Sequence, residues 1–550
     1  MEGSKELTEH GAEFARRIER VSENVVVAVG YALANSIMIE GDDGVIIVDT
    51  TETNQLARAV KEDFLALVPG KPIKAIVLTH NHADHVYGVQ EMMRGAPTPP
   101  EIIAHSSLNE LVRHSLSVVS HITFTRSMRQ FGALLHKDDQ LNSGIGPSLE
   151  DGRHGEFGIV HPTITFDDSL NITIAGVELE LFHCPGETND QICLFIPSTR
   201  VLVAADNYYK AFPNLYAIRG TPTRDAMQWA RSLDRMRRFK AAAMVPCHSA
   251  PITGAAEVET RLRNYRDAIQ YVHDQTVRWM NRGLQPLDIA AKVTLPPHLR
   301  DLPYLRPFYG TVEWSVRAIF DSYMGWFGGD AVDLWPLQPS ERARRLAELL
   351  GSERALKKAA LDAFDPKDPQ WALELATTFL ALRPDDADIR DLRARCLSAH
   401  AALQISANGR NYFTTQALEV NSDLDIRPSR AQVRVSIRDA EPQDIFRAMA
   451  VNLIAERALL VDMTVQIVFT DRGEKIRLHI RRGICDVQSG PFEEPDPEEQ
   501  VITTLDGWRA IVAGDASPIT AIASGQLKTT GSSSQLLRFL TLFDKPDVRP

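Results

Sequence analysis

The chain alternates between two hydrophobic periodicities, and these divide it into three regions. From residue 24 to about residue 254, short runs of β-branched residues alternate with stretches in which apolar positions recur every three or four residues. Residues 25–29, 44–48 and 73–78 predict buried strands, and residues 55–67 (QLARAVKEDFLAL) predict an amphipathic helix. This alternation is typical of an α/β domain, whose functional loops follow the strand ends.

The strand pattern nearly disappears between residues 261 and 404. Amphipathic stretches at 340–350 (SERARRLAELL), 353–363 and 369–380 predict an all-helical domain. Residues 421–425 (NSDLD) have the composition of a linker. After them, strands are predicted at 431–438, 463–469 and 475–480, and helices at 504–513 and 534–543, which together make a small α+β domain. We therefore expect three domains, at residues 1–270, 271–420 and 421–550.

Composition and charge narrow the possible partners. With 60 basic and 72 acidic residues the net charge is −12, which argues against a nucleic-acid partner bound through bulk charge. The apolar run 25–39 is too short to span a bilayer, so stable membrane insertion is not expected. The first six residues (MEGSKE) are charged where a signal peptide needs an apolar core, which predicts a cytoplasmic protein. A secretion signal missing from this sequence would leave the same pattern.

A dense group of metal ligands directly follows the predicted strand 73–78. The segment Thr79-His80-Asn81-His82-Ala83-Asp84-His85 contains three histidines and one aspartate in six positions. Histidine and carboxylate side chains bind zinc readily, and an open coordination position on zinc activates water near neutral pH. Ligands so closely spaced suit two adjacent metal ions better than one.

This segment resembles the signature of the metallo-β-lactamase superfamily, and further positions match it in the same order along the chain. Glu187 follows Pro185-Gly186, Asp206 ends the apolar run 201–205, and His248 follows the run 244–247. The resemblance implies an αββα sandwich that holds two zinc ions, although other divalent metals also suit these ligands. It assigns His80, His82 and Glu187 to the first metal, Asp84, His85 and His248 to the second, and Asp206 to a bridging position.

Glu187 narrows the resemblance, because lactamases of this superfamily carry histidine at that point. The chain is similar there to the alkyl sulfatases, although those relatives usually have a second glutamate where this chain has Asp206. Their sulfate-binding segment resembles Asn214-Leu215-Tyr216-x-x-Arg219-Gly220, which implies that Asn214, Tyr216 and Arg219 bind the substrate. The planar fork of arginine matches a tetrahedral oxyanion.

The resemblance also supplies the expected catalytic residues. Lys210 stands where the sulfatases have a histidine and is a candidate proton donor to the leaving alkoxide. Two other interpretations stay open: Lys210 binds a sulfate oxygen, or it is an ordinary surface lysine. Asp84 is expected to act in catalysis as well as in metal binding.

The remaining regions extend the same resemblance. Aromatic residues are dense in 306–317 and 323–329, which resemble the dimerisation domain of the alkyl sulfatases and imply a homodimer, although at least half of these side chains must be ordinary core. Residues 525–531 (GQLKTTG) and the helix after them resemble a sterol-carrier-protein-like domain. The expected architecture is therefore the metal-binding sandwich, an all-α dimerisation domain and a small α+β domain.

The sequence thus predicts an alkyl sulfatase with a dinuclear metal site, which hydrolyses an amphiphilic aliphatic sulfate ester to an alcohol and inorganic sulfate. One alternative is another hydrolase of the same fold, acting on a phosphoester, lactone or thioester. A second is a lipid-binding protein whose metals are structural. Structural zinc sites are closed by protein ligands, whereas seven ligands shared between two metals leave open positions.

Overall fold

A computed structural model describes residues 2–149, 156–438, 440–545 and 547–549. The chain forms two compact units. The first consists of Met1–Asn109 and Arg126–Ile426, and the second of Glu110–Thr125 and Arg427–Pro550. The first unit contains the predicted α/β and helical regions together, and the three predicted domain boundaries stay a prediction.

The first sheet contains seven strands, which lie side by side in chain order. They are β1 (Arg17–Arg20), β2 (Val25–Val29), β3 (Ser36–Glu40), β4 (Val45–Val48), β5 (Ile73–Val77), β6 (Glu101–His105) and β7 (Ile164–Phe166). The strands from β1 to β4 are antiparallel, and those from β4 to β7 are parallel. The helix Asn54–Leu67 connects β4 to β5, and its N-cap Thr53 accepts a hydrogen bond from the Leu56 N–H over 3.2 Å.

The second sheet contains six strands and shares its core with the first. They are β8 (Ser169–Ile174), β9 (Val177–His183), β10 (Ile192–Ile196), β11 (Val201–Ala205), β12 (Ala243–Pro246) and β13 (Ile252–Thr253). Neighbouring strands are antiparallel except β11 and β12, which are parallel and joined through the helix Ala226–Arg237. Val27 and Val77 of the first sheet pack in one apolar core with Leu179 and Leu194 of the second. This sandwich with flanking helices confirms the predicted α/β fold.

Among its described residues, the α/β region of the sequence contains six further α-helices. They are Glu2–His10, Ala83–Val86, Val89–Met93, Leu108–Leu116, Ser120–Phe131 and Ala255–Met280. Trp229 and Tyr265, on the helices that follow β11 and β13, lie in the same core as the two sheets. Buried apolar side chains on these helices therefore fix the second sheet from its outer face.

Residues 261–404, all of them described, contain helices and no strand, as predicted. The helices after residue 281 are Pro286–Ala290, Pro297–Arg300, Val312–Met324, Pro339–Leu349, Glu353–Asp362, Gln370–Leu380, Ala387–Leu403 and Ala407–Val420. Leu356, Phe379 and Leu392 form a separate small core among the later helices. The short amphipathic segments of the sequence therefore pack against one another as antiparallel neighbours would.

The second unit is an α+β domain, as predicted. Its five strands, in the spatial order β16-β15-β14-β17-β18, are β14 (Asp462–Phe469), β15 (Glu474–Arg481), β16 (Ile484–Ser489), β17 (Gln500–Thr503) and β18 (Lys528–Thr529). Its helices after residue 429 are Arg430–Arg438, Pro442–Val451, Ala455–Ala458, Leu505–Val512, Pro518–Ala523 and Ser533–Leu540. Phe446, Phe469 and Trp508 lie at the centre of its core. Among the described residues, no helix is both long and apolar enough to cross a membrane.

The prediction of a strand at residues 431–438 is wrong, because this segment is the helix Arg430–Arg438. The alternation of apolar and polar residues there is compatible with a strand, but Val433 and Ile437 are also four residues apart and share a helix face. A capping box starts the helix: the Gln432 N–H donates to Ser429 Oγ over 3.2 Å, and the Ser429 N–H donates to Gln432 Oε1 over 2.8 Å.

Candidate metal centre

Five strand ends of the first unit supply the polar residues of one site. Asp49 follows β4, the segment from Thr79 to His85 follows β5, and Glu187 comes four residues after β9. Asp206 directly follows β11, and His248 follows β12 by two residues. Because β4 and β5 are parallel, and so are β11 and β12, their carboxyl ends lie at one edge of the sandwich.

The backbone at two of these strand ends adopts positive φ angles. Ala205 has φ = 48°, a left-handed conformation that is unusual for a residue with a side chain, and it turns the chain into Asp206. Asp49 has φ = 60°. At Gly186 a Cβ atom would collide with the Asn207 side chain and the Trp229 ring. Glycine is therefore required next to Glu187, because no side chain fits between the turn and the helix behind it.

The three side chains predicted to bind the second metal lie together. Asp84, His85 and His248 each offer a ligand atom within 4.8 Å of the other two. His85 Nε2 lies 3.4 Å from Asp84 Oδ2, and His248 Nε2 lies 3.6 Å from that same oxygen. Ligands about 2.0–2.1 Å from a tetrahedral zinc ion are roughly 3.3 Å apart. These separations therefore fit one metal ion without rearrangement of the loop.

The predicted ligands of the first metal belong to two groups of ligand atoms, and Asp206 is a member of each. His82, Glu187 and Asp206 form one group of ligand atoms within 4.8 Å of one another, and His80, His85 and Asp206 form another. His80 Nε2 lies 3.0 Å from His82 Nδ1 and 3.7 Å from Asp206 Oδ2. Asp206 belongs to both groups and also lies 3.2 Å from His248 Nε2, whereas His80 is grouped with His85 and not with Glu187.

The donor set fits divalent metal ions. The seven side chains combine imidazole nitrogens with three carboxylates, a mixture that zinc and harder divalent ions accept. Among the described residues, His85 Nε2 and Asp206 Oδ1 are buried and have no hydrogen-bond partner. Buried polar atoms seldom remain unpaired, so a ligand is expected at this point. The chain therefore contains a divalent-metal site.

Asp49 contacts the ring nitrogen of His85 that faces away from the other ligands. The sequence analysis did not identify Asp49 as a site residue. His85 Nδ1 lies 2.7 Å from Asp49 Oδ2, which also accepts hydrogen bonds from Thr79 Oγ1 at 2.8 Å and Cys247 Sγ at 3.1 Å. A proton on Nδ1 leaves the Nε2 lone pair free for a metal ion. Asp49 thus selects the tautomer of His85 that binds metal.

Two other histidines are oriented in the same way. His248 Nδ1 lies 2.9 Å from the Leu33 carbonyl oxygen, and His80 Nδ1 lies 3.0 Å from Thr79 Oγ1. Asn35 fixes the strand end beside His248, because its side-chain amide donates to the Pro246 carbonyl oxygen over 3.1 Å. In each case Nε2 faces the group of carboxylates.

Burial determines the protonation of the first two histidines. It lowers the pKa of His80 to about 3. Burial, together with the positive charge of Arg219, also lowers the pKa of His82 well below its ordinary value. Both imidazoles are therefore neutral near pH 7, which is the form that binds metal.

Two of the three carboxylates of the site, Asp206 and Asp84, are ionised in spite of burial. Burial acts to raise the pKa of Asp206, but His248 and His85 hold it well below its usual range. His85 likewise outweighs burial and lowers the pKa of Asp84 to about 2. Burial acts to lower the pKa of His85, whereas Asp206 and Asp84 raise it well above its ordinary value. Metal binding at His85 must therefore release a proton.

Of the three predicted substrate residues, Arg219 contacts a predicted metal ligand, and Asn214 is linked to Glu187 through Tyr209. Arg219 Nη2 donates a hydrogen bond to His82 Nε2 over 3.0 Å, and the Arg219 backbone N–H donates to Gln130 Oε1 over 2.9 Å. Asn214 is buried, and neither polar atom of its side-chain amide has a hydrogen-bond partner in the described part of the chain. Arg219 Nη1 is also buried and unpaired there. These unpaired atoms leave hydrogen-bonding capacity for an anion.

Lys210 and Tyr216 are the other two residues for which the sequence predicts a role in the reaction. The Lys210 ammonium forms an ion pair with Glu13, and its backbone N–H donates to Ser249 Oγ over 3.2 Å. Tyr216 is exposed. The predicted roles of Lys210 and Tyr216 stay predictions, and proton donation by Lys210 requires its ion pair with Glu13 to open.

Three residues that the sequence analysis missed surround Glu187. Arg224 Nη1 lies 3.0 Å from Glu187 Oε1, and the Tyr209 hydroxyl donates to Glu187 Oε2 over 3.2 Å. Tyr309 packs edge-on against Tyr209, with ring centroids 5.5 Å apart. Burial raises the pKa of Glu187, and Arg224 opposes this effect. No motif or spacing rule marks these positions, although Arg224 and Tyr209 both lie near Asn214 in the sequence.

Comparisons with known proteins cover nearly the whole chain. Residues 29–248 match the metallo-beta-lactamase superfamily, residues 285–423 the alkyl sulfatase dimerisation family, and residues 431–549 the alkyl sulfatase C-terminal family. The chain is 38% identical over 532 residues to a linear primary-alkylsulfatase of Pseudomonas sp. (strain ATCC 19151), covering 93% of this chain and 99% of that protein. The chain belongs to the alkylsulfatase family.

More distant members of the family agree over most of their length. An alkyl/aryl-sulfatase of Saccharomyces cerevisiae is 26% identical over 96% of this chain and 82% of that protein. The structure of a stereoselective inverting sec-alkylsulfatase from Pseudomonas sp. superimposes with a TM-score of 0.88, at 28% identity, over 97% of this chain and 86% of that one. The family and fold predicted from the sequence are thus confirmed.

Proposed function

We propose that this chain hydrolyses aliphatic sulfate esters to an alcohol and inorganic sulfate at a site with two divalent metal ions. One observation carries the proposal: the predicted ligands of the two metals lie together at the strand ends, and Arg219, whose buried Nη1 has no partner among the described residues, donates a hydrogen bond to His82. The names of the curated relatives, which include primary and secondary alkylsulfatases, support the same substrate class.

For the metal ligands we propose the same division between two ions that the sequence predicts. His80, His82 and Glu187 would hold the first ion, Asp84, His85 and His248 the second, and Asp206 both. Zinc is the proposed metal, and three carboxylates also suit harder divalent ions. The bound ions would supply Lewis acidity toward the sulfate oxygens and lower the pKa of water.

The protein's own residues orient the ester. Arg219 offers a planar pair of donors and Asn214 a neutral amide, which together suit the tetrahedral sulfate group. Contact with His82 keeps the Arg219 guanidinium beside the first metal position. Both residues therefore hold the sulfate end, while the alkyl chain points away. Lys210 remains the proposed donor of a proton to the leaving alcohol oxygen.

We also propose a homodimer built on the helical region. Trp326 and Trp335 expose 74% and 86% of their surfaces, and Tyr323 exposes 59%. Large aromatic side chains that are this exposed are typical of a protein interface. The match of residues 285–423 to a dimerisation family points to a second copy of this chain as the partner. A cytoplasmic location stays a prediction.

Sulfate release from dodecyl sulfate tests the function. Metal-loaded protein should release inorganic sulfate, and His82→Ala should abolish the release. His298→Ala is a matched control, because His298 is exposed and outside every group of ligand atoms. Absence of release from primary and secondary alkyl sulfates at full metal occupancy would refute the substrate class. Activity on a phosphoester, lactone or thioester under those conditions would identify the alternative hydrolase.

A further inference from the structure

The two carboxylate oxygens of Glu187 have different partners. Oε1 forms the ion pair with Arg224 Nη1 at 3.0 Å, and Oε2 accepts the hydrogen bond from the Tyr209 hydroxyl at 3.2 Å. The side chains of Glu187 and Arg224 are each only 2% exposed, and Tyr209 is fully buried. Rotation of this carboxylate would therefore break two buried polar contacts.

The same two partners also hold the backbone of Asn214. Arg224 Nη1 donates to the Asn214 carbonyl oxygen over 2.5 Å, and the Asn214 N–H donates to the Tyr209 hydroxyl oxygen over 2.7 Å. Four contacts thus close a ring through Glu187, Arg224, Asn214 and Tyr209. The ring joins the loop after β9 to the loop after β11, and these loops carry a proposed metal ligand and a proposed sulfate-binding residue.

Rigid elements surround this ring. The Tyr209 ring packs edge-on against Tyr309 and Tyr265, with centroid distances of 5.5 and 6.2 Å. Arg224 lies two residues before the helix Ala226–Arg237, whose N-cap Asp225 accepts the Gln228 N–H over 2.9 Å. A displacement at one member of the ring is therefore passed to the others instead of being absorbed by a flexible loop.

We propose that Arg224 and Tyr209 are positioning residues that couple sulfate binding to metal retention, because one set of contacts holds both Asn214 and Glu187. This inference rests on the proposed function, in which Glu187 binds metal and Asn214 binds sulfate. The Asn214 side chain itself takes no part in the ring, since only its backbone does. Loss of the Asn214 side chain should therefore weaken sulfate binding alone, whereas loss of a ring contact should weaken both sulfate binding and zinc retention.

Tyr209→Phe is the most selective test, because it removes one hydroxyl from a buried ring that otherwise stays packed. Tyr208→Phe is the matched control: Tyr208 is equally buried, but its hydroxyl accepts from Arg261 over 3.2 Å and does not contact Glu187. Arg224→Lys is the second variant, since a lysine keeps the charge but ends one bond short of Nη1, the nitrogen that makes both contacts. Asn214→Ala separates the side chain from the ring.

Three measurements on the full-length protein loaded with zinc decide the result. They are the rate of zinc transfer to a chromogenic chelator, the dissociation constant of inorganic sulfate by calorimetry, and KM and kcat for dodecyl sulfate. Tyr209→Phe and Arg224→Lys should speed zinc loss at least fivefold and weaken sulfate binding about tenfold, with KM rising more than kcat falls. Tyr208→Phe should change each by less than twofold, and Asn214→Ala should weaken sulfate binding without faster zinc loss.

The coupling is refuted if both ring variants weaken sulfate binding while zinc loss stays at the wild-type rate, or if neither quantity changes. Should Tyr209→Phe fail to fold, Arg224→Lys decides by the same criteria. Failure of the proposed function looks different: the wild-type protein would bind zinc but release no sulfate from alkyl sulfates. In that case the zinc and sulfate-ion measurements still decide whether the ring couples the two ligands.

Discussion

Asp49→Asn tests how the site holds its metal, because Asp49 is buried and accepts several hydrogen bonds. Oδ2 accepts from His85 Nδ1 at 2.7 Å and from Thr79 Oγ1 at 2.8 Å, and Oδ1 accepts from the Thr79 N–H at 2.8 Å. In asparagine an NH2 group replaces one of these oxygens, so a hydrogen-bond donor faces another donor. The substitution also removes the negative charge that supports the His85 ring.

The expected magnitude follows from the lost contact. A hydrogen bond to a charged group contributes about 1.5–3 kcal/mol. At about 1.4 kcal/mol for each factor of ten, zinc should bind Asp49→Asn roughly 10- to 100-fold more weakly. This range agrees with the effect of removing other residues that support metal ligands.

Competition titration against a chromogenic zinc chelator measures this change directly. Asp43→Asn is the control, since Asp43 is an exposed aspartate whose carboxylate lies 3.2 Å from the Lys74 ammonium. The control should bind zinc as the wild type does. A zinc affinity of Asp49→Asn within twofold of the wild type would show that Asp49 does not support His85, and the reasoning on its tautomer would be wrong.

Three further predictions concern the substrate, the metal and the assembly. Arg219→Lys should raise KM for dodecyl sulfate at least tenfold because the planar fork is lost. An unchanged KM in steady-state assays would contradict the binding of sulfate by Arg219. Dialysis against a chelator should abolish sulfate release and lower the melting temperature, and zinc should restore both; activity that survives complete metal removal would contradict the proposal. Trp335→Asp should convert a dimer to a monomer in light scattering, and a monomeric wild type would exclude the proposed interface.

Much of the fold was predictable because its central strands are buried on both faces. Each residue of β2, β4 and β11 is buried, so these strands appear in the sequence as uninterrupted apolar runs. The segment 431–438 was mispredicted because alternating residues fit a strand locally, while its capping box and the packing of the second unit favour a helix. Local pattern alone does not distinguish these outcomes.

The site was predictable only where its chemistry is close in sequence. His80, His82, Asp84 and His85 lie within six residues, so their composition alone predicts a metal site. Asp49 was missed because its partner His85 is 36 residues away. Tyr209 and Arg224 were missed for a related reason: a tyrosine or arginine is common in loops, and only the folded chain brings these two against Glu187.

A metal titration followed by sulfate release tests the central claim most directly. Metal-free protein would receive zinc in steps, with bound zinc per chain and sulfate release from dodecyl sulfate measured at each step. A site that needs two metal ions predicts that sulfate release rises until two zinc ions are bound per chain and then stays constant. A plateau at one ion per chain, or no release with two ions bound, would contradict it.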